Sequence, residues 1–147
     1  MSRPAFQAGP SERRASARPL RVLVADDDHD AVLTLSALLR LEGHEVSGVH
    51  DGQAVFAAAE DFKPDVAILD INMPRMNGFD VARNLRTRYG EDGIVLIALT
   101  GVWNKGADKV LARLVGFNHH FGKPVEPRSL MDILASVTPQ DGRRGRL

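Results

Sequence analysis

The sequence predicts an α/β fold, a (βα)5 doubly wound parallel sheet of five strands in the order 2-1-3-4-5. Three observations carry that expectation. From Leu20 onward, short apolar runs alternate five times with segments of helical period, the pattern that builds a parallel sheet covered on both faces. The first, third and fourth runs are unbroken: Val22-Leu23-Val24, Val66-Ala67-Ile68-Leu69 and Ile94-Val95-Leu96-Ile97. Continuous apolar strands are those buried on both sides. The second and fifth carry Glu45, Ser47, Asn118, His119 and His120, which suits the two edges.

Taken in order, the strands are expected at 20–25, 45–49, 65–69, 94–99 and 117–121, and the helices near 30–42, 52–61, 78–89, 104–115 and 127–137. The last two helices are the clearest. Ala107, Val110, Leu111 and Leu114 repeat at helical spacing, as do Leu130, Ile133, Leu134 and Val137. Asp51 and Asn77 are placed to cap helix starts, Gly43 to stop the first helix, and Pro127 to occupy a first helical turn.

Size and charge narrow the function classes. A chain of 147 residues with 44% apolar content suits one domain. No apolar run approaches the roughly 18 residues of a membrane span, and the first 19 residues lack the apolar core of a secretory signal. There is no cysteine, which excludes disulfides, thiolate metal sites and a Cys nucleophile. A cytoplasmic location is the expectation that fits. The net charge of zero is segregated: residues 1–21 carry +4 and 139–147 carry +2, leaving −6 for 22–138. The organisation expected is a disordered basic arm (1–19), one domain (20–138) and a basic tail (139–147). Both basic ends are read as solvated, so nucleic acid is not an expected partner.

The chemistry gathers where the strands end. In an order 2-1-3-4-5 sheet the ligand site lies beyond the carboxyl ends of the strands, where strand order reverses. Strand one ends in Asp26-Asp27-Asp28, strand three in Asp70, strand four in Thr100, and strand five runs into Lys123-Pro124. Packed carboxylates repel unless a cation neutralises them, and hard oxygen donors without Cys or clustered His point to Mg²⁺ or a similar ion such as Mn²⁺. A carboxylate beside that ion, Asp70, can accept a phosphoryl group as an acyl phosphate. Thr100 and Lys123 can each take a phosphate oxygen. Any one of these residues alone is commonly a cap or turn residue; the joint pattern is the signal.

The stretches Val22-Leu23-Val24-Ala25-Asp26-Asp27-Asp28, Ile68-Leu69-Asp70-Ile71-Asn72-Met73-Pro74-Arg75-Met76-Asn77-Gly78, Ala98-Leu99-Thr100-Gly101 and Lys123-Pro124-Val125 resemble the receiver domains of two-component response regulators. The resemblance covers about 20–138 and implies the flavodoxin-like receiver fold. By position it implies Asp70 as phosphoacceptor, with metal held by Asp26, Asp27, Asp70 and the backbone carbonyl of Asn72. It makes Thr100 and Lys123 the phosphate-binding and switch residues. It also implies a histidine kinase or histidine phosphotransfer protein as donor. Asp28 falls beyond the acidic pair and reads as a helix-start residue.

His120 stands where the family has Tyr or Phe as a switch aromatic, so it is either that switch or a half-buried edge residue. Gly116-Phe117-Asn118-His119-His120-Phe121 is similar to receivers linked to hybrid histidine kinases. His119 and His120 make a poor metal pair, because adjacent strand residues point to opposite faces. Asn72 and Val102 flank the line along which water attacks an acyl phosphate. Asn72 orients water and Val102 excludes it, so both are expected to tune the lifetime.

Two other classes compete. An aspartate-nucleophile phosphatase of the haloacid-dehalogenase type needs a second Asp two residues after the nucleophile, where Asn72 stands. A non-phosphorylated interaction module resembling a receiver would have lost an acceptor, acidic or lysine position, and all are present. A flavin carrier on this fold would meet an acidic rim that repels its phosphate. The switch itself is not expected to be an enzyme beyond catalysing its own phosphorylation and dephosphorylation. Output is expected through a downstream protein target, a phosphorelay or homodimerisation.

Overall fold

A computed structural model describes residues 19–101 and 105–139, with side chains given throughout except at 105–108. Residues 1–18 of the expected basic arm, Val102 and residues 140–147 of the expected basic tail lie outside the described residues. The strands are β1 (Arg21–Ala25), β2 (Glu45–Val49), β3 (Val66–Asp70), β4 (Val95–Thr100) and β5 (His119–Gly122). The helices are α1 (His29–Leu41), α2 (Gly52–Phe62), α3 (Gly78–Tyr89), α4 (Lys105–Val115) and α5 (Pro127–Ala135). All strand pairs are parallel, and the sheet order is β2-β1-β3-β4-β5, as the strand compositions predict.

Alternation along each strand divides the core in two. Val22, Val24, Val66, Ile68, Ile97 and Leu99 face α1 and α5, where they meet Leu35, Leu39, Leu130 and Leu134. Leu23, Ala25, Ala67, Leu69, Leu96 and Ala98 face α2, α3 and α4, against Val55, Val81, Leu85 and Ala112. Each buried large apolar side chain contributes roughly 1.5–3 kcal/mol. All five residues of β3 are buried, whereas edge strands β2 and β5 contain only half-buried and exposed positions.

Local signals set the helix ends. Asp28 caps α1 by accepting from the N–H groups of Asp30 and Ala31, Asp51 caps α2 through Ala54, and Asn77 caps α3 through Asp80. Pro127 opens α5 behind the capping carboxylate of Glu126. Gly43 follows α1 with φ +97°, a conformation that favours glycine.

Most boundaries fall within one residue of expectation, and two differ by two residues. Strand five begins at His119 rather than Phe117, because the Asn118 side chain takes the place of a ladder carbonyl: its Oδ1 accepts the Leu96 N–H at 2.8 Å. Helix α5 ends at Ala135, where Ser136 caps it, although Val137 still packs on the core.

Register then aligns the chemistry. Asp70 pairs with Leu99 and Thr100 with Gly122, so the last residues of β3 and β4 reach one rim with Asp26 and Lys123, each one residue past its strand.

Candidate functional site

The rim places a lysine between two buried carboxylates. Lys123 Nζ lies 2.7 Å from Asp26 Oδ2 and 3.2 Å from Asp70 Oδ2. Asp26 and Asp70 are only 2% and 3% exposed. Their other oxygens are held by main chain: Asp28 N–H donates to Asp26 Oδ1 (3.0 Å), and Asn72 N–H donates to Asp70 Oδ1 (2.9 Å). Asn72 also reaches sideways, its Nδ2 donating to Thr100 Oγ1 at 3.2 Å. Asp27, exposed, completes a group in which one oxygen from each of Asp26, Asp27 and Asp70 lies within 4.8 Å of the others.

The loop after β3 is shaped by close backbone approach. Gly78 N–H donates to Ile71 O at 2.7 Å, and a Cβ on Gly78 would meet Ile71 Cα at 2.6 Å and Asp70 O at 2.9 Å. Only glycine lets α3 start this near the acceptor strand. On the other side, Lys123 N–H donates to Thr100 O at 2.8 Å, which binds the end of β5 to the end of β4; the Lys123–Pro124 peptide is cis.

Electrostatics divides the carboxylates. Burial pushes Asp70 up, the Asp26 charge adds to this, and the Asn72 amide and Lys123 only partly oppose it. Burial also acts on Asp26, but hydrogen bonds from Lys123 and the Asp28 amide outweigh it and hold Asp26 below the usual carboxylate range. Lys123, despite burial, is held above its ordinary value by the two carboxylates. Asp26 has the shorter contact with the lysine and is the better paired. Among the described residues, three carboxylates against one lysine leave two negative charges for a further cation to neutralise when all three are ionised. The donors are all hard oxygens, a set suited to Mg²⁺ rather than to a soft metal.

Asp26, Asp27, Asp70, Asn72, Thr100 and Lys123 thus form one constellation, as expected from the strand ends. Asp28 stands apart as the α1 cap. His120 is placed lower on β5, opposite Ala98, exposed beside Lys109 and Arg113 of α4. Burial and those two cations hold its imidazole below the usual range.

Sequence reading missed two residues next to the acidic loop, His29 and His50. Their rings stack at 3.7 Å between centroids and 8° between planes, and His50 Nδ1 lies 3.2 Å from Asp26 O. No spacing rule links residue 29 to residue 50. Only the β1–β2 register brings them together.

Comparison with known proteins gives a consistent family. Residues 22–135 match the model of the response regulator receiver domain. The chain is 32% identical over 117 residues to the protein PilH of Pseudomonas aeruginosa, covering 80% of this chain and 96% of PilH. It is 35% identical over 111 residues to the DNA-binding response regulator MtrA of Mycobacterium tuberculosis, covering 76% of this chain and 47% of MtrA. The chain therefore spans about half the length of the MtrA relatives it matches. Among solved structures, the chemotaxis protein CheY4 of Vibrio cholerae aligns with a TM-score of 0.75 and 29% identity, over 82% of this chain and 100% of that one. Fold, strand-end constellation and relatives agree: the chain belongs to the response regulator receiver domain family of two-component signalling.

Proposed function

We propose that this chain is a phosphorylation switch in which Asp70 accepts a phosphoryl group from a histidine kinase or a histidine phosphotransfer protein. The observation that carries this reading is the buried Asp70 carboxylate, clustered with Asp26 and Asp27 and sharing the Lys123 ammonium. In the transfer, an Asp70 oxygen forms the new O–P bond as the donor's P–N bond breaks. The electron pair leaves on the imidazole nitrogen, which takes a proton from solvent. Mg²⁺ or Mn²⁺, held by the carboxylates of Asp26, Asp27 and Asp70 and the Asn72 carbonyl, would supply positive charge against the phosphoryl oxygens.

The chain's own groups do the rest. The Asn72 amide orients Asp70 through Oδ1, leaving Oδ2 on the side of Lys123. In this reading Lys123 moves from the carboxylates to a phosphate oxygen, and the Thr100 hydroxyl takes another. Thr100 is joined to β5 through the Lys123 amide, so its movement would be passed to the strand that carries His120 and thence to a downstream protein target. Asn72 and Val102 are assigned to tuning the lifetime of the acyl phosphate, in opposite directions.

Labelling with a small phosphodonor in Mg²⁺ tests the reading. Wild type should take up base-labile label and Asp70→Asn none, with the fold retained. Undiminished label on Asp70→Asn would move the acceptor elsewhere.

A further inference from the structure

The geometry points to His50 as a positioning residue that, stacked on His29, fixes the acidic loop carrying Asp26 and Asp27. This inference rests on reading the three carboxylates as a Mg²⁺ site, and it adds a residue pair outside the ligand set. The β1–β2 register ends at Ala25 opposite Val49. One step further, Asp26 N–H still donates to Val49 O at 3.2 Å. After that β2 ends and the chain turns toward the cap of α2 at Asp51. The imidazole of His50 supplies a donor at this point. A carbonyl only accepts, so the 3.2 Å contact to Asp26 O requires the proton on Nδ1.

That bond has a specific consequence. The Asp26 carbonyl belongs to the peptide plane whose other end is the Asp27 nitrogen, so holding it sets the direction in which Asp27 leaves the chain. His29, the first residue of α1, lies on the far side of Asp27 and Asp28, and its ring is pressed flat on His50. The loop between β1 and α1 is therefore tied at both ends to one side chain, that of His50, one residue past β2. Asp27 is the exposed member of the carboxylate group. Its aim depends on the backbone more than on burial, so this tie acts where the site is least preorganised.

The test compares His50→Phe, which keeps a ring to stack but removes the donor, with His50→Asn, which restores a donor near the Nδ1 position. Mg²⁺ affinity is read by titrating the backbone amide signals of residues 26–29. Hydrogen exchange of the Asp28 amide, which donates to Asp26 Oδ1, is read without metal. His50→Phe should weaken Mg²⁺ binding about tenfold, a size typical for loss of an outer partner at a metal site. It should also speed Asp28 exchange in the metal-free protein, and His50→Asn, which restores the donor but not the stacked ring, should recover part of both. Wild-type affinity and exchange in a folded His50→Phe overturn the inference, as does a His50→Asn variant no better than His50→Phe.

If His50→Phe does not fold, His29→Ala, at an exposed position, serves instead. It should weaken binding in the same direction, and unchanged binding there overturns the role of the stack. If wild type shows no saturable response to Mg²⁺, it is the metal-site reading that fails. The metal-free exchange of Asp28 then decides the role of His50 alone.

Discussion

The two rims of the sheet bury polar groups in opposite ways. At the amino-terminal rim polar side chains, among them the buried His44 and Asp65, meet the main chain. His44 Nδ1 accepts the Leu20 N–H, Asp65 Oδ2 accepts the Arg21 N–H, and Asn118 Oδ1 accepts the Leu96 N–H. Arg86 is the centre of this rim, donating to the carbonyls of Gly90, Ile94 and Gly116 and to Asn118 Oδ1. At the carboxyl-terminal rim, charge meets charge: carboxylates crowd one another and share a single lysine. The first arrangement is satisfied and closed. The second retains excess negative charge and can change state when a cation or a phosphoryl group arrives. Removing a group from the first rim should therefore destabilise the fold, and removing one from the second should not.

The largest expected effect is at Arg86. Arg86→Ala leaves the Ile94 and Gly116 carbonyls without this donor and should cost roughly 3 kcal/mol in denaturant unfolding, while Mg²⁺ titration stays as in wild type. A cost below about 1 kcal/mol would mean that water replaces the guanidinium freely, and the contrast between the rims would lose its strongest support.

Asp70→Asn probes the other rim with the opposite sign. The change is nearly isosteric and removes one of the crowded charges, one that burial and Asp26 already disfavour. Without metal the variant should be about 1 kcal/mol more stable than wild type. Mg²⁺ should stabilise it less than it stabilises wild type, because a ligand charge is gone. Thermal melts with and without Mg²⁺ decide this. A destabilised metal-free variant would show that the Lys123 contact outweighs the repulsion.

The difference between the rims also explains what was legible in the sequence. The carboxyl-terminal rim follows from strand ends, because period and order bring Asp26, Asp70, Thr100 and Lys123 together whatever the loops do. Sheet order was equally readable, from three unbroken apolar runs and two interrupted ones. The amino-terminal rim was not. Asp65 reads as the first residue of an apolar strand, and nothing in residue type or spacing singles out Arg86 on its helix or His44 in its turn. Their partners are backbone groups of distant segments, which carry no residue-type signal. The same reason hid His50, whose target is the Asp26 carbonyl.

A smaller effect follows from His44 and sharpens the comparison through pH. Burial holds its imidazole below the ordinary value, with Glu42 only partly opposing, and its Nδ1 must be unprotonated to accept the Leu20 N–H. The unfolded chain takes up the proton near pH 6.5, before the folded one does. Stability from this group is thus fully present above about pH 6.5 and is lost as pH falls through the folded value. His119 and His120 are shifted the same way, so wild type alone does not isolate the term. His44→Asn keeps an acceptor near the Nδ1 position without the titration. Its melting temperature should fall less than that of wild type between pH 7 and 5.5, and equal slopes would assign the acid sensitivity elsewhere.

The smallest effects come from two non-glycine residues with positive φ, Lys63 at 53° and Arg75 at 71°. Lys63 ends α2 on the way to Asp65 and the amino-terminal rim, while Arg75 lies in the loop between Asp70 and α3. A left-handed conformation costs an ordinary residue about 1–2 kcal/mol. Glycine removes that cost but adds about 0.4–1 kcal/mol of unfolded-state entropy. Lys63→Gly should therefore stabilise by about 0.5 kcal/mol. Arg75 differs because its Nη1 pairs with Asp51 Oδ2 at 3.1 Å, while Asp51 Oδ1 caps α2 through the Ala54 N–H. That exposed pair contributes about 0–1 kcal/mol and is screened by salt. At low salt Arg75→Gly should then be close to neutral, and at 1 M salt its gain should approach that of Lys63→Gly. Denaturant melts of both variants at the two salt concentrations provide the comparison. If the gap between them does not narrow with salt, the Arg75–Asp51 pair is not what separates the two turns.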